Sequence, residues 1–300
     1  MTSIEVVDPA GADLGECPVW SPDEQALHWV DIEGRRIHRY EPSTGSTAIQ
    51  EVAGRPGAIA RTDHPGRWLI ALETSLAWFD WSSGKTTPWI ALEQGDSGNR
   101  MNDGRTDPSG RFWVGSMFPQ PAANRFTGNL YRVTAGGTTS TIRTNVGVSN
   151  GLAFDPQRRR MYWADTLHDM VWHFDYDDET GEVRNETPFI DFSGLPGRPD
   201  GACVDSEGCY WIAGVYGWAV MRFTPEGQLD RTIELPVEAP TMPAFGGPDL
   251  TTLFITSIGA GGSRPPAPGQ PHAGSLLAVE TNVAGIVDPP FATSQSGTGS

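Results

Sequence analysis

Cations, cysteines and long apolar runs are all scarce in this chain, and each shortage removes a class of function. Lysine and arginine together number 21 against 37 aspartates and glutamates, a net charge of −16. A surface of that sign repels phosphate, so nucleic acid and anionic membranes are excluded as partners. No stretch approaches the roughly 18 apolar residues that a membrane-spanning helix needs. The opening MTSIEVVDPAGADLGE has neither a basic segment nor an apolar core, so no signal peptide is expected. Three cysteines, Cys17, Cys203 and Cys209, are too few for a disulfide framework and form no C-x-x-C pair. A reducing, cytoplasmic setting follows as the expectation.

Helical periodicity is missing as well. Glycine (36) and proline (25) punctuate the whole chain, and the runs between them lack an i, i+3, i+4 apolar stripe. Short segments rich in Trp, Ile, Val, Phe and Tyr lie between turn residues, which is the pattern of an all-β protein.

One phrase repeats: a turn built from Asp, Pro and Gly, then an aromatic-rich strand. It reads SPDEQALHWVDI from Ser21, TDHPGRWLIAL from Thr62 and TDPSGRFWVGS from Thr106, then FDPQRRRMYWADT from Phe154, VDSEGCYWIAG from Val204 and GGPDLTTLFITS from Gly246. The strand markers Trp29, Leu69, Trp113, Trp163, Trp211 and Ile255 are separated by 40, 44, 50, 48 and 44 residues. A period of about 40–50 residues with several strands per unit indicates a propeller rather than a sandwich. The fold class predicted is all-β, a six-bladed β-propeller with a metal site in the central channel. A single domain over 1–292 is expected, with 293–300 a disordered tail. IEVVD near the start and SLLAVETNVAGIV near the end should share one blade, so that the ring closes without exposed edges. Gly259–Gly274, rich in Pro and Gly, reads as a long inter-strand loop.

In a propeller the innermost strands face the axis, so equivalent positions converge. Counting back 11 to 13 residues from each marker gives Glu16, Ala58, Asn102, Asn150 and Asp200, and one residue further gives Thr241 in the sixth unit. Two carboxylates and two carboxamides are four oxygen-bearing side chains whose charge neutralises a divalent ion, favouring Ca²⁺, Mg²⁺ or Mn²⁺. Without an ion the carboxylates would repel and one should take up a proton. A glycine beside each of Asn102, Asn150 and Asp200 suits a sharp turn there. Arg100 can hold a polyol or carbonyl through paired N–H groups, and Asp103, a carboxylate beside the cation, can act as general base.

GECPVW (15–20), R-x-N-D-G with DPSGRFWVGSM (100–117), SNGLAFDPQRRRMYWADT (149–166) and RPDGACVDSEGCYWIAG (198–214) follow in order over nearly the whole chain. In these motifs the sequence resembles the SMP-30/gluconolactonase family, which includes regucalcin and bacterial sugar lactonases. The resemblance implies metal-dependent opening of a sugar lactone to its aldonic acid by a monomer or weak homo-oligomer, with the small lactone as partner. It implies metal ligation by Glu16, Asn150 and Asp200. It also implies substrate contacts from Arg100 and Asn102, and Asp103 and Asp200 as the catalytic carboxylates. In related organophosphate-hydrolysing propellers the residue matching Asn102 ligates the metal, so Asn102 stands between the two roles. The cation varies across the family among Ca, Mg, Mn, Zn and Fe(II). Regucalcin-like members carry a substrate-reaching glutamate after G-T-M, where GSMFPQPAANRF offers only Gln120, which leaves the sugar open. Phe118 and Trp218 are candidates to cover its apolar face.

Rival readings are a phosphotriesterase or esterase on the same metal, and a non-catalytic calcium-binding propeller. GVSNG (147–151) matches a nucleophile elbow but no helix follows it. DYDDETGE (175–182) reads as a hairpin turn rather than a calcium loop. The sequon at Asn185 carries no weight without secretion. His168 and His173 fall off the channel positions and read as surface residues, and Cys17 as a buried apolar one.

Overall fold

The computed structural model describes residues 3–9, 11–93, 95 and 97–293. They form six four-stranded antiparallel sheets. The innermost strands are Gly15–Ser21, Ala58–Arg61, Arg100–Thr106, Ser149–Asp155, Arg198–Val204 and Pro240–Gly246, and they define blades 1 to 6. The six marker residues all lie on the second strand of their blades, and all are buried. Helical structure among the described residues amounts to three single 3₁₀ turns, at Pro121–Ala123, Thr166–His168 and Phe192–Gly194. Among the described residues, no helix is long and apolar enough to cross a membrane.

Ring closure follows the expected route. Ile4–Asp8 pairs with Leu276–Glu280 as the outermost strand of blade 6, so one sheet takes strands from both ends of the chain. Gly259–Gly274 lies in the loop that joins two strands of this blade. Past Glu280 the chain leaves the sheet. It bonds at Ser206 through Ala284, pairs Asp288 with Arg105, and sets Phe291 fully buried beside Trp78 and Trp89. Thr293 is bound to Asp63, so ordered contacts reach one residue into the expected tail. The remainder of that tail, 294–300, lies outside the described residues.

The core is divided into layers between neighbouring blades. Trp113, Phe154 and Trp163 pack blade 3 on blade 4, while Trp211, Phe245 and Ile255 pack blade 5 on blade 6. The repeated Asp has a specific task in this packing. Asp107 Oδ1 accepts from the Ser109 and Arg111 amides at 3.0 and 2.9 Å, and its Oδ2 accepts from Trp113 Nε1 at 3.0 Å. Asp205 does the same for the Glu207 and Cys209 amides and for Trp211 Nε1 at 2.8 Å. One carboxylate thus shapes the turn and satisfies the indole N–H buried between blades.

This predicts that Asp107→Ala, which strands the Trp113 N–H in the core, lowers unfolding free energy by about 2–4 kcal/mol. Asp80→Ala, at an exposed turn of the same hydrogen-bonded kind, should shift the unfolding midpoint far less. Equal losses in denaturant unfolding of the two variants would contradict the account.

Candidate metal centre in the channel

Every inner strand that carries an oxygen-bearing side chain at the equivalent position is irregular there. Pairing with the second strand shifts register between Glu16 and Val19, Asn102 and Gly104, Asn150 and Ala153, Pro199 and Ala202, and Pro240 and Pro243. Blade 2, which has Ala58 at that place, pairs without a shift. A bulge turns a side chain out of the regular alternation, and here it turns Glu16, Asn102, Asn150 and Asp200 into one buried cluster.

The glycines act differently from the expectation. Only Gly151 has a positive φ, +62°, beside its neighbour Asn150. In blades 1 and 3 the left-handed position falls on Cys17 (φ 46°) and Asp103 (φ 49°). Gly104 and Gly201 are required by close packing instead: a Cβ would lie 2.8 Å from the Phe112 ring and 2.4 Å from Met242 Cβ respectively.

Hydrogen bonds fix the cluster. Arg100 Nη1 donates to Asn102 Oδ1 at 2.7 Å and to Met101 O at 2.9 Å. Asn102 Nδ2 donates to Asn150 Oδ1 at 3.0 Å and to Ser149 O at 2.9 Å. Glu16 Oε2 accepts from the Cys17 amide at 3.0 Å, and the Glu16 and Asp200 carboxyls lie within hydrogen-bonding reach of each other. Asp103 Oδ2 accepts from the Leu152 amide at 3.0 Å, while its buried Oδ1 has no partner. Deeper along the same strand, Arg105 reaches Ala202 O across the channel at 2.6 Å and Asp288 Oδ2 at 2.6 Å. Arg105 and the C-terminal segment close that end.

The charges are under stress. Burial, and then the neighbouring Asp103, push Glu16 from 4.5 up to about 8. Burial, Glu16 and Asp103 push Asp200 well above the carboxylate range. Asp103 rises to about 6, from burial. Two carboxyls in contact must share a proton unless a cation replaces it. The donor set fits a divalent cation: all of its atoms are oxygens, Glu16, Asn150 and Asp200 come from three blades, and together they supply two negative charges.

The other predicted residues are more dispersed. Gln120 is exposed on the 3₁₀ turn that follows blade 3's second strand. Phe118 is half-buried beneath the Arg125 guanidinium, 4.4 Å from its ring centre, and Trp218 is 41% exposed. Ser149, the elbow-like serine, starts a strand and accepts from Trp163 Nε1 at 2.9 Å. DYDDETGE spans a hairpin connection, His168 is exposed, and Cys17 is fully buried. A separate acidic group, Asp205, Glu207 and Cys209, reads as an ion-pair cluster, because the Arg222 guanidinium already meets both carboxylates.

Sequence reasoning passed over Asp165 and Thr166. The Asp165 carboxylate accepts from the Gly147, Val148 and Leu167 amides, and so holds the approach to Asn150. Asp31 does the same for Asp13, Leu14 and Gly34 ahead of Glu16. The signal was available as Trp-x-Asp at 29–31 and again at 163–165.

Comparison with known proteins identifies the family and the fold. The profile of the SMP-30/Gluconolactonase/LRE-like region matches residues 14–259. The chain belongs to this family. It is 40% identical over 281 residues to 6-deoxy-6-sulfogluconolactonase of Pseudomonas putida, covering 93% of this chain and 95% of that protein. To pentonolactonase XacC of Haloferax volcanii it is 37% identical over 278 residues, 91% of each. The crystal structure of the calcium-binding protein regucalcin from Agrobacterium tumefaciens superposes with a TM-score of 0.89 at 28% identity, covering 97% of both chains.

The raised carboxyls make a signed prediction. Without metal, the folded protein keeps protons on Glu16 and Asp200 that the unfolded chain releases above its ordinary carboxylate pKa. The contribution of these two groups to stability is therefore full below about pH 4.5 and is lost as pH rises toward about 8. In chelator, the melting temperature of the wild type should fall from pH 5 to pH 8, and Asp200→Asn should flatten that slope. A flat wild-type profile, or an unchanged slope in the variant, would contradict it.

Proposed function

We propose that the channel opens the ring ester of a sugar lactone to give the aldonic acid, using a divalent cation held by Glu16, Asn150 and Asp200. The observation that carries this is the pair of buried carboxyls pressed together beside an amide oxygen and an unpaired Asp103 oxygen. The sugar-lactonase names of the relatives support the reading. When bound, such a cation supplies Lewis-acid polarisation of an ester carbonyl.

The protein's own groups do the rest. Arg100 spends Nη1 on Met101 and Asn102, which aims the guanidinium, while its buried Nε has no partner and is free to donate to a sugar oxygen. Asn102 is held rigidly between Arg100 and Asn150 and packs the substrate's side of the cluster. Asp103 is the general base: its free Oδ1 takes a proton from the attacking water and returns it to the ring oxygen as the ester C–O bond breaks. The acyl carbon keeps the water oxygen, and the product is a hydroxy acid. With Asp103 near 6, this base is ionised and competent above that pH. Gln120 and the rim around Phe118 and Trp218 would select among sugars. Calcium, magnesium, manganese, zinc and ferrous ion remain the cations to compare.

Ring opening of gluconolactone, pentonolactones and 6-deoxy-6-sulfogluconolactone, with and without chelator, tests the reading. Turnover is expected to depend on added cation. Asp103→Asn should lower kcat by about 10²–10⁴-fold with cation affinity retained, whereas Asp200→Asn should lose cation affinity first. Cation binding without hydrolysis of any lactone would leave a non-catalytic propeller, and hydrolysis restricted to phosphotriesters would favour the esterase alternative.

A further inference from the structure

The hydrogen bonds through the site form one continuous chain with a fixed direction. Arg100 Nη1 donates to Asn102 Oδ1 (2.7 Å), Asn102 Nδ2 to Asn150 Oδ1 (3.0 Å), and Asn150 Nδ2 to Thr166 Oγ1 (2.8 Å). Thr166 Oγ1 in turn donates to Pro199 O at 2.8 Å. Side-chain amide orientation is normally ambiguous, because the nitrogen and oxygen are nearly isosteric. Here both ends remove the ambiguity. A guanidinium only donates and a carbonyl only accepts. The hydroxyl has a single proton, which goes to Pro199, so it must accept from Asn150. Flipping either amide would set donor against donor, or acceptor against acceptor, at two places at once.

Resting on the cation reading above, we propose that Thr166 is a positioning residue. It locks the Asn150 carboxamide so that Asn150 Oδ1 is the amide oxygen offered to the cation, while Asn102 has its oxygen turned to Arg100 and serves as the orienting link. Thr166 is well placed for this. It is buried at the first position of the Thr166–His168 turn, its amide donates to Val148 O at 3.0 Å, and Asp165 caps the turn. Its partner Pro199 immediately precedes Asp200, so one hydroxyl ties the blade 4 ligand to the strand carrying the blade 5 ligand. Among the described residues, no other side chain hydrogen-bonded to Asn150 reaches that strand.

Thr166→Val keeps the shape and removes the hydroxyl, and Thr166→Ser restores it. In calorimetric titration with Mn²⁺, Thr166→Val is expected to bind about 10- to 100-fold more weakly, as partners that orient metal ligands generally do. Thr166→Ser should stay within about threefold of wild type. Neutron diffraction from the metal-free wild type should show the Asn150 amide deuterons on Thr166. Unchanged Mn²⁺ affinity in Thr166→Val would overturn the positioning role alone. Should that variant fail to fold, the neutron map decides: deuterons directed at Asn102 overturn the proposal, and deuterons on Thr166 support it. A wild type that binds no Mn²⁺ would instead overturn the cation reading beneath it.

Discussion

Glu16 and Asp200 meet in a space from which water is largely excluded, and much of the architecture around them serves to keep them there. Two like charges in contact within a protein interior repel far more strongly than in water. Their common proton lowers that cost, and a cation would lower it further. The strain is held because the two groups arise from different blades, each locked into the ring by its neighbours. Backbone bulges do the aiming: five of the six inner strands break register at the channel position, and the one that does not carries Ala58. Between the first and second strands of the blades, the register breaks at the channel position wherever an oxygen-bearing side chain stands there.

Ring closure supplies the rigidity this requires. Ile4–Asp8 zips onto the last blade, and the segment after Glu280 runs across the far end, where Asp288 pairs with the guanidinium of Arg105. Arg105 stands on the same strand as Arg100, Asn102 and Asp103, and it also grips Ala202, two residues past Asp200. The blade 3 and blade 5 contributions are therefore tied directly across the axis. A cation bound between blades would join the same scheme, adding its binding free energy to that of folding.

Much of this was legible in the sequence, because a propeller writes its symmetry as a period. The apolar strand and Asp-containing turn of each repeat marked the second strand and its approach, and counting back from the markers led to Glu16, Asn102, Asn150 and Asp200, which the fold brings into one buried cluster. What period alone could not give was backbone conformation inside the strand. Glycines next to the ligands suggested sharp turns at three sites, yet only Gly151 takes a positive φ; in blade 3 that conformation falls on Asp103, and in blade 1 on Cys17. Nor could spacing reveal the polarity of an amide. Asn102 was open between ligand and support, and its hydrogen bonds with Arg100 and Asn150 are what the proposed supporting role rests on. Asp165 escaped notice because its carboxylate works on main-chain amides, groups that every residue has, and Thr166 because its contact with the Asn150 side chain crosses sixteen residues of sequence.

The central claim is that three oxygens from three blades hold one cation. Anomalous diffraction from a crystal soaked in Mn²⁺ tests it most directly. The account predicts a single channel peak with oxygens of Glu16, Asn150 and Asp200 at about 2.0–2.6 Å and with the Asn102 oxygen still on Arg100. A peak confined to the Asp205–Glu207 cluster, or a channel in which those three groups do not share one ion, would contradict it.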